Sequence, residues 1–155
     1  MISDEKILGI LRRYTTVAVV GLSRNPSKDS YEVADYLQKA GYVIVPINPV
    51  AEEILGEKSY GSLLELPDKL KRSVEIVALF RPSEAVLPFV EDAIKLREAY
   101  GVPEVIWMQL GIINEEAAEK AKAAGMWVVM NRCMKVEHTR LISARSGRTP
   151  RQGHC

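Results

Sequence analysis

The chain has 155 residues, 47% of them hydrophobic and 26% charged, with a formal net charge of +1. That length predicts one domain burying roughly 70% of its unfolded surface, and the near-neutral balance gives no global pull toward nucleic acid or a membrane, so any anion site must be local. No apolar run approaches the roughly 20 residues of a membrane span, and the start Met1-Ile2-Ser3-Asp4-Glu5-Lys6 lacks the basic and apolar blocks of a signal peptide. Cys133 and Cys155 are the only cysteines, too few for a disulfide framework in a chain this long, so a cytoplasmic location is expected.

Ile7, Leu8, Ile10 and Leu11 stand at helical spacing behind Ser3-Asp4, which predicts a short capped helix. Residues 16–21 are valine-rich and too short for a helix, so they read as a buried strand. A polar loop follows, then a helix face of Val33, Ala34, Leu37 and Ala40 that stops at Gly41. Residues 42–47 form the next predicted strand, closed by Asn48-Pro49, and a less regular stretch leads to Leu63-Leu64-Glu65-Leu66 and Pro67. Residues 74–80 give a third strand ending at Arg81-Pro82, after which Ser83 reads as the cap of a helix through Val86, Phe89, Val90 and Ile94. Residues 105–108 give a fourth strand, closed by Gln109-Leu110-Gly111. Asn114 starts an alanine-rich helix ending at Gly125, and residues 126–130 give a fifth strand.

Trp107 and Trp127 both lie in apolar strand runs and are expected in the core. Strands separated by helical stretches imply right-handed crossovers, hence an α/β, three-layer Rossmann-like fold with a five-stranded parallel sheet over residues 1–142. Residues 143–155 are almost devoid of apolar side chains and carry Arg145, Arg148 and Arg151. They are expected to form a disordered, basic tail, solvated or touching an acidic partner or nucleic acid.

In open parallel sheets a ligand lies at the carboxyl ends of the strands, near the reversal of strand order. That rule gathers five segments: residues 21–31, 48–49, 80–82, 108–111 and 131–133. A dinucleotide fingerprint would need glycine at 21, 23 and 26, where Gly21, Ser23 and Pro26 stand. Pro26 lacks a backbone donor, and Asn48 replaces the carboxylate that NAD favours after the second strand. No G-x-x-x-x-G-K-[ST] motif is present for a nucleoside triphosphate. What remains is a helix N-terminus beside Arg24, Lys28 and Ser30, a combination suited to a phosphate-bearing ligand.

The G-x-S loop at Gly21, Pro46-Ile47-Asn48-Pro49, Phe80-Arg81-Pro82 and Asn131-Arg132-Cys133-Met134 occur together and in order. In this the chain, over residues 7–141, resembles the small CoA-binding proteins of the succinyl-CoA synthetase alpha-subunit type. The resemblance implies coenzyme A as cofactor. It assigns Gly21, Ser23, Arg24, Asn25, Lys28 and Ser30 to the pyrophosphate and ribose 3′-phosphate, and Asn48 and Pro49 to the adenosine side. Phe80, Arg81 and Pro82, with Met108, Gln109 and Leu110, would flank the pantetheine arm. Residues 130–134, with Asn131 and Cys133, are similar to the Pro-Asn-Cys turn of the synthetase subunit, with Arg132 as a departure. Tyr31 either covers the adenine or packs at the helix start.

In the synthetases a second domain carries the phosphorylated histidine. Here the only histidines are His138 and His154, so binding is carried over and ligase chemistry is not. The expectation is a non-catalytic carrier, sensor or docking module for CoA or acyl-CoA, with a protein partner or a homo-oligomer left open. The alternatives are a nucleotide-dependent oxidoreductase or a CoA-thiol redox protein using Cys133, flanked by Arg132 and Lys135, and a scaffold with a vestigial pocket. Cys133, Glu137, His138 and Cys155 match no standard zinc spacing, so no metal site is expected.

Overall fold

Two valine-rich runs form the first pair of parallel strands, β1 (Thr16–Val20) and β2 (Val43–Ile47). A small antiparallel hairpin, β3 (Glu53–Ile54) and β4 (Glu57–Lys58), precedes β5 (Ile76–Leu79), β6 (Val105–Met108) and β7 (Trp127–Val129). The main sheet is five-stranded and parallel in the order β2-β1-β5-β6-β7. The chain therefore runs outward from β1 to β2, then crosses to β5 on the other side, and the order reverses between β1 and β5. These coordinates come from a computed structural model that describes residues 2–143.

Alternate residues of each strand feed two apolar layers. Val17, Val19, Ile76, Val105 and Trp107 pack toward α1 (Asp4–Arg13), α2 (Asp29–Lys39) and α6 (Met134–His138). Ala18, Val20, Val77, Ile106 and Met108 pack toward α4 (Leu87–Tyr100) and α5 (Glu115–Ala123). A single turn, α3 (Asp68–Lys71), follows Pro67 before β5. Strands covered on both faces must be apolar throughout, which is why the valine and isoleucine runs lack alternation.

The caps at Ser3 and Asn114 form as expected: each side chain accepts a first-turn N–H, from Lys6 at 3.2 Å and from Ala117 at 2.9 Å. Ser83 does not cap its helix. It opens a short 3-10 turn (Ser83–Ala85), and its hydroxyl accepts the Ile113 N–H at 2.9 Å while Asn114 Nδ2 donates to its carbonyl. Ser83 thus joins the β5–α4 connection to the start of α5. Trp107 is fully buried, but Trp127 is 45% exposed. The apolar run around it is real, yet among the described residues β7 is an edge strand, so the indole has α1 beside it and no further strand beyond. No helix among the described residues is long and apolar enough to cross a membrane. The tail expectation lies outside the described residues except at Ser143, which ends a π-type turn (Thr139–Ser143) and whose Oγ is 3.1 Å from the Tyr36 hydroxyl.

Candidate functional site at the carboxyl edge of the sheet

Gly21 sits where the strand order reverses. Its φ is +82°, and a Cβ built there would lie 2.6 Å from the Phe80 carbonyl oxygen and 3.0 Å from Arg81 Cδ. Both the left-handed backbone and the close approach require glycine. Gly21 N–H donates to the Ile47 carbonyl at 3.1 Å, and Phe80 N–H to the Val20 carbonyl at 2.9 Å. The β1 exit is thereby tied to the β2 and β5 exits on either side.

The other predicted segments are joined in the same way. Asn48 Nδ2 donates to the Leu22 carbonyl at 3.0 Å, and Asn48 Oδ1 accepts the N–H groups of Val50 and Ala51 at 2.8 and 3.1 Å. Gln109 N–H reaches the Leu79 carbonyl, and Gln109 Oε1 accepts the Met134 N–H at 2.9 Å. Asn131, itself left-handed at φ 62°, accepts the Gly111 N–H through Oδ1 at 2.7 Å. Trp107 Nε1 donates to the Arg132 carbonyl at 2.8 Å. All five segments consequently form one continuous edge, each loop bonded to its neighbour.

The loop before α2 is shaped internally. Ser23 N–H donates to Ser30 Oγ at 2.9 Å, Asn25 N–H to Ser23 Oγ at 3.0 Å, and Ser27 N–H and Oγ–H to Asn25 Oδ1 at 3.0 and 2.9 Å. Ser30 is buried, whereas Arg24, Asn25 and Lys28 are exposed. Lys28 is the N-cap of α2, and its side chain makes no cap hydrogen bond. The first-turn N–H groups and positive dipole end of α2 therefore face the loop that carries the two cations.

The predicted residues divide by depth. Arg81, Pro82, Pro49 and Leu110 are exposed, and Gly21, Ser23, Asn48 and Phe80 are half-buried. Met108, Gln109 and Cys133 are buried, with Met108 inside the α4/α5 layer. These three can set the walls of the edge but do not present a broad surface to solvent. Tyr31 is partly buried against the α1/α2/α6 layer. Arg132 pairs with Glu137 (Nη1–Oε1 2.6 Å) rather than standing beside Cys133 as an isolated charge.

Two contributors escaped the sequence reading. Ser59 donates through Oγ to the Asn48 carbonyl at 3.1 Å, and Tyr60 bridges β2 by accepting the Asn48 N–H at 2.8 Å. They follow the β3–β4 hairpin, whose turn residues Leu55 and Gly56 have φ of 56° and 76°. Gly56 was the available signal, but leucine at the first turn position hides the usual Asn-Gly pattern.

A family model described as the CoA binding domain matches residues 15–139, most of the chain and all five loops. The chain belongs to this CoA-binding domain family. It is 40% identical over 136 residues to the Bacillus subtilis protein YneT, covering 88% of this chain and 94% of that one. The solved structure of a hypothetical protein from Pyrococcus horikoshii superposes with a TM-score of 0.82 at 42% identity, covering 91% of this chain and 93% of the other. The alpha subunit of the ADP-forming acetate–CoA ligase II of Pyrococcus furiosus is 27% identical over 131 residues, 79% of this chain but 27% of the subunit. Members of the family thus include proteins of this length and parts of much larger CoA ligases.

Proposed function

We propose that this member of the CoA-binding domain family binds coenzyme A, or an acyl-CoA, along the carboxyl edge of the sheet and acts as a non-catalytic carrier, sensor or docking module. The observation that carries the reading is the start of α2, flanked by exposed Arg24 and Lys28, beside a Gly21 turn that leaves no room for a side chain. A helix start with its dipole and first-turn N–H groups, in a loop that carries two exposed cations, suits the pyrophosphate and 3′-phosphate of CoA. Asn48 and Pro49 border the adenosine side, and Phe80, Arg81, Pro82 and Leu110 offer an edge along which a pantetheine arm can lie. The carboxamide of Asn48 argues against NAD: its oxygen already accepts two backbone N–H groups, its nitrogen donates to the Leu22 carbonyl, and it is not the carboxylate that NAD favours for its ribose hydroxyls. The ligase relatives support both the CoA reading and a protein partner that reads the loaded state.

The test is calorimetric titration and thermal unfolding with CoA, dephospho-CoA, NAD and ATP. CoA at about 100 times its dissociation constant stabilises the fold by about 2.7 kcal/mol. The expected order is CoA, then dephospho-CoA, with no shift for NAD. Arg24→Ala and Lys28→Ala should each weaken CoA about tenfold, the scale of one charge-assisted contact, and narrow the gap to dephospho-CoA. Saturable binding of NAD without CoA overturns the reading and favours an oxidoreductase.

A further inference from the structure

Among the described residues the edge at β7 is open and carries an unassigned surface. Trp127 is 45% exposed, and two adjoining depressions meet at it, one against α1 and one reaching α5. Trp127 N–H donates to the Glu104 carbonyl at 3.0 Å, so Trp127 turns its backbone polar groups toward β6. By the two-residue alternation of a strand, Val128 directs its N–H and carbonyl outward, as a strand awaiting a neighbour does.

The flanking helices show what that neighbour is. Both α1 and α5 lead into strands of the parallel sheet that follow them, so both run antiparallel to β7. On α1, Glu5, Gly9 and Arg13 all line the depression beside Trp127. Glu5 and Arg13 lie about 12 Å apart along the axis, with Gly9 midway. On α5, Glu115 and Lys122 border the edge with the acid again first and the base last, on either side of Ala118, which is buried in the α4/α5 layer. A two-fold axis perpendicular to the sheet through Val128 would place each helix antiparallel to its own copy. Glu5 would then meet Arg13 of the second copy, and Glu115 would meet Lys122 of the second copy, twice each by symmetry. At the axis Gly9 would face Gly9. A Cβ on Gly9 meets nothing within 4 Å in this chain, so its own fold does not require glycine there, and glycine costs a helix interior about 1 kcal/mol relative to alanine. Close approach of a second α1 explains it.

We propose that the protein forms a two-fold homodimer through antiparallel pairing of β7 with β7 of a second copy, making a continuous ten-stranded sheet. The two Trp127 indoles and the paired α1 helices cover one face of the seam, and the α5 helices cover the other. This assignment is independent of the CoA reading.

The test is sedimentation velocity on the full chain from about 1 to 100 μM, a span that brackets ordinary dimer affinities. The unmodified protein is expected to sediment as a dimer. Arg13→Glu sets like charges against Glu5 and should raise the dimer dissociation constant at least about tenfold, and adding Glu5→Lys should restore it. Gly9→Glu should give a folded monomer whose circular dichroism matches that of the parent, because the position is open in the single chain, and whose melting temperature no longer depends on protein concentration. A monomer at every concentration, or a dimer indifferent to Gly9→Glu and to the charge reversal, overturns the proposal.

Discussion

Replacing Gly21 with alanine probes the point where the fold and the candidate site coincide. At φ +82° a non-glycine residue carries about 1 kcal/mol of left-handed strain. The new methyl would also lie 2.6 Å from the Phe80 carbonyl oxygen. That oxygen belongs to the backbone leaving β5, whose Phe80 N–H is held by the Val20 carbonyl, so it cannot swing aside as a side chain would. Overpacking of this kind costs about 1–3 kcal/mol, giving a total of about 3 kcal/mol. With an unfolding entropy of about 2.1 cal/mol/K per residue, 1 kcal/mol corresponds to about 3 °C for a chain of this size, and the melting temperature should fall by about 9 °C. Gly41→Ala supplies the control: its φ is +105°, but nothing lies within 4 Å of the added atom, so strain alone should lower the melting temperature by about 3 °C. Differential scanning calorimetry of both variants separates the two terms, and CoA titration of Gly21→Ala should show weakened binding. Equal shifts for the two variants would refute the argument that the Phe80 contact dictates glycine at position 21.

Asn48→Ala removes one side-chain donor and two acceptor bonds that tie the β2 loop to Leu22, Val50 and Ala51. Urea denaturation should show a loss of about 1–3 kcal/mol, and a midpoint unchanged from the parent would show that the loop holds without it. Arg97 donates to the carbonyls of Ala124, Pro103 and Gly125 and pairs with Glu104 at 3.1 Å. Arg97→Ala should therefore cost about 2 kcal/mol, read as a melting temperature lower by about 6 °C. His138 is buried beneath α2 with Nδ1 2.8 Å from the Tyr36 hydroxyl, and burial pushes its imidazole below the ordinary value of 6.5. The unfolded chain therefore takes up this proton first on acidification. The His138 contribution is fully present above about pH 6.5 and is lost as pH falls through the lower folded value. His138→Gln should flatten stability against pH below about 6.5, and an unaltered slope would remove His138 as its source. Burial likewise pushes the Tyr42 phenol up to about 12, so stability should fall at alkaline pH as the unfolded chain ionises first, and Tyr42→Phe should blunt that fall in a pH-jump unfolding assay.

The sequence by itself determined the elements that rest on local chemistry. Short valine and isoleucine runs broken by glycine or proline are too brief for helices and too apolar for surface strands, so the five parallel strands were legible with ends correct to within two residues. The Ser3 and Asn114 caps were legible because a cap is a contact over three residues. The CoA-binding family was also legible, because its motifs fall at the strand exits that the parallel-sheet rule gathers into one edge. Tertiary structure decided what depends on neighbours distant in the chain. Ser83 has the chemistry of a cap, but Ile113 and Asn114, thirty residues on, offered its hydroxyl and carbonyl better-placed partners. Trp127 and Trp107 stand in similar apolar runs, and only the strand order β2-β1-β5-β6-β7 makes one an edge residue and the other a buried one. The residues alone did not show that the Asn48 carboxamide also bonds backbone groups of two loops, because those partners lie in other segments of the chain. An apolar pattern reports that a side chain leaves water; which surface covers it, and which backbone group a polar side chain finds, is fixed only when the sheet assembles.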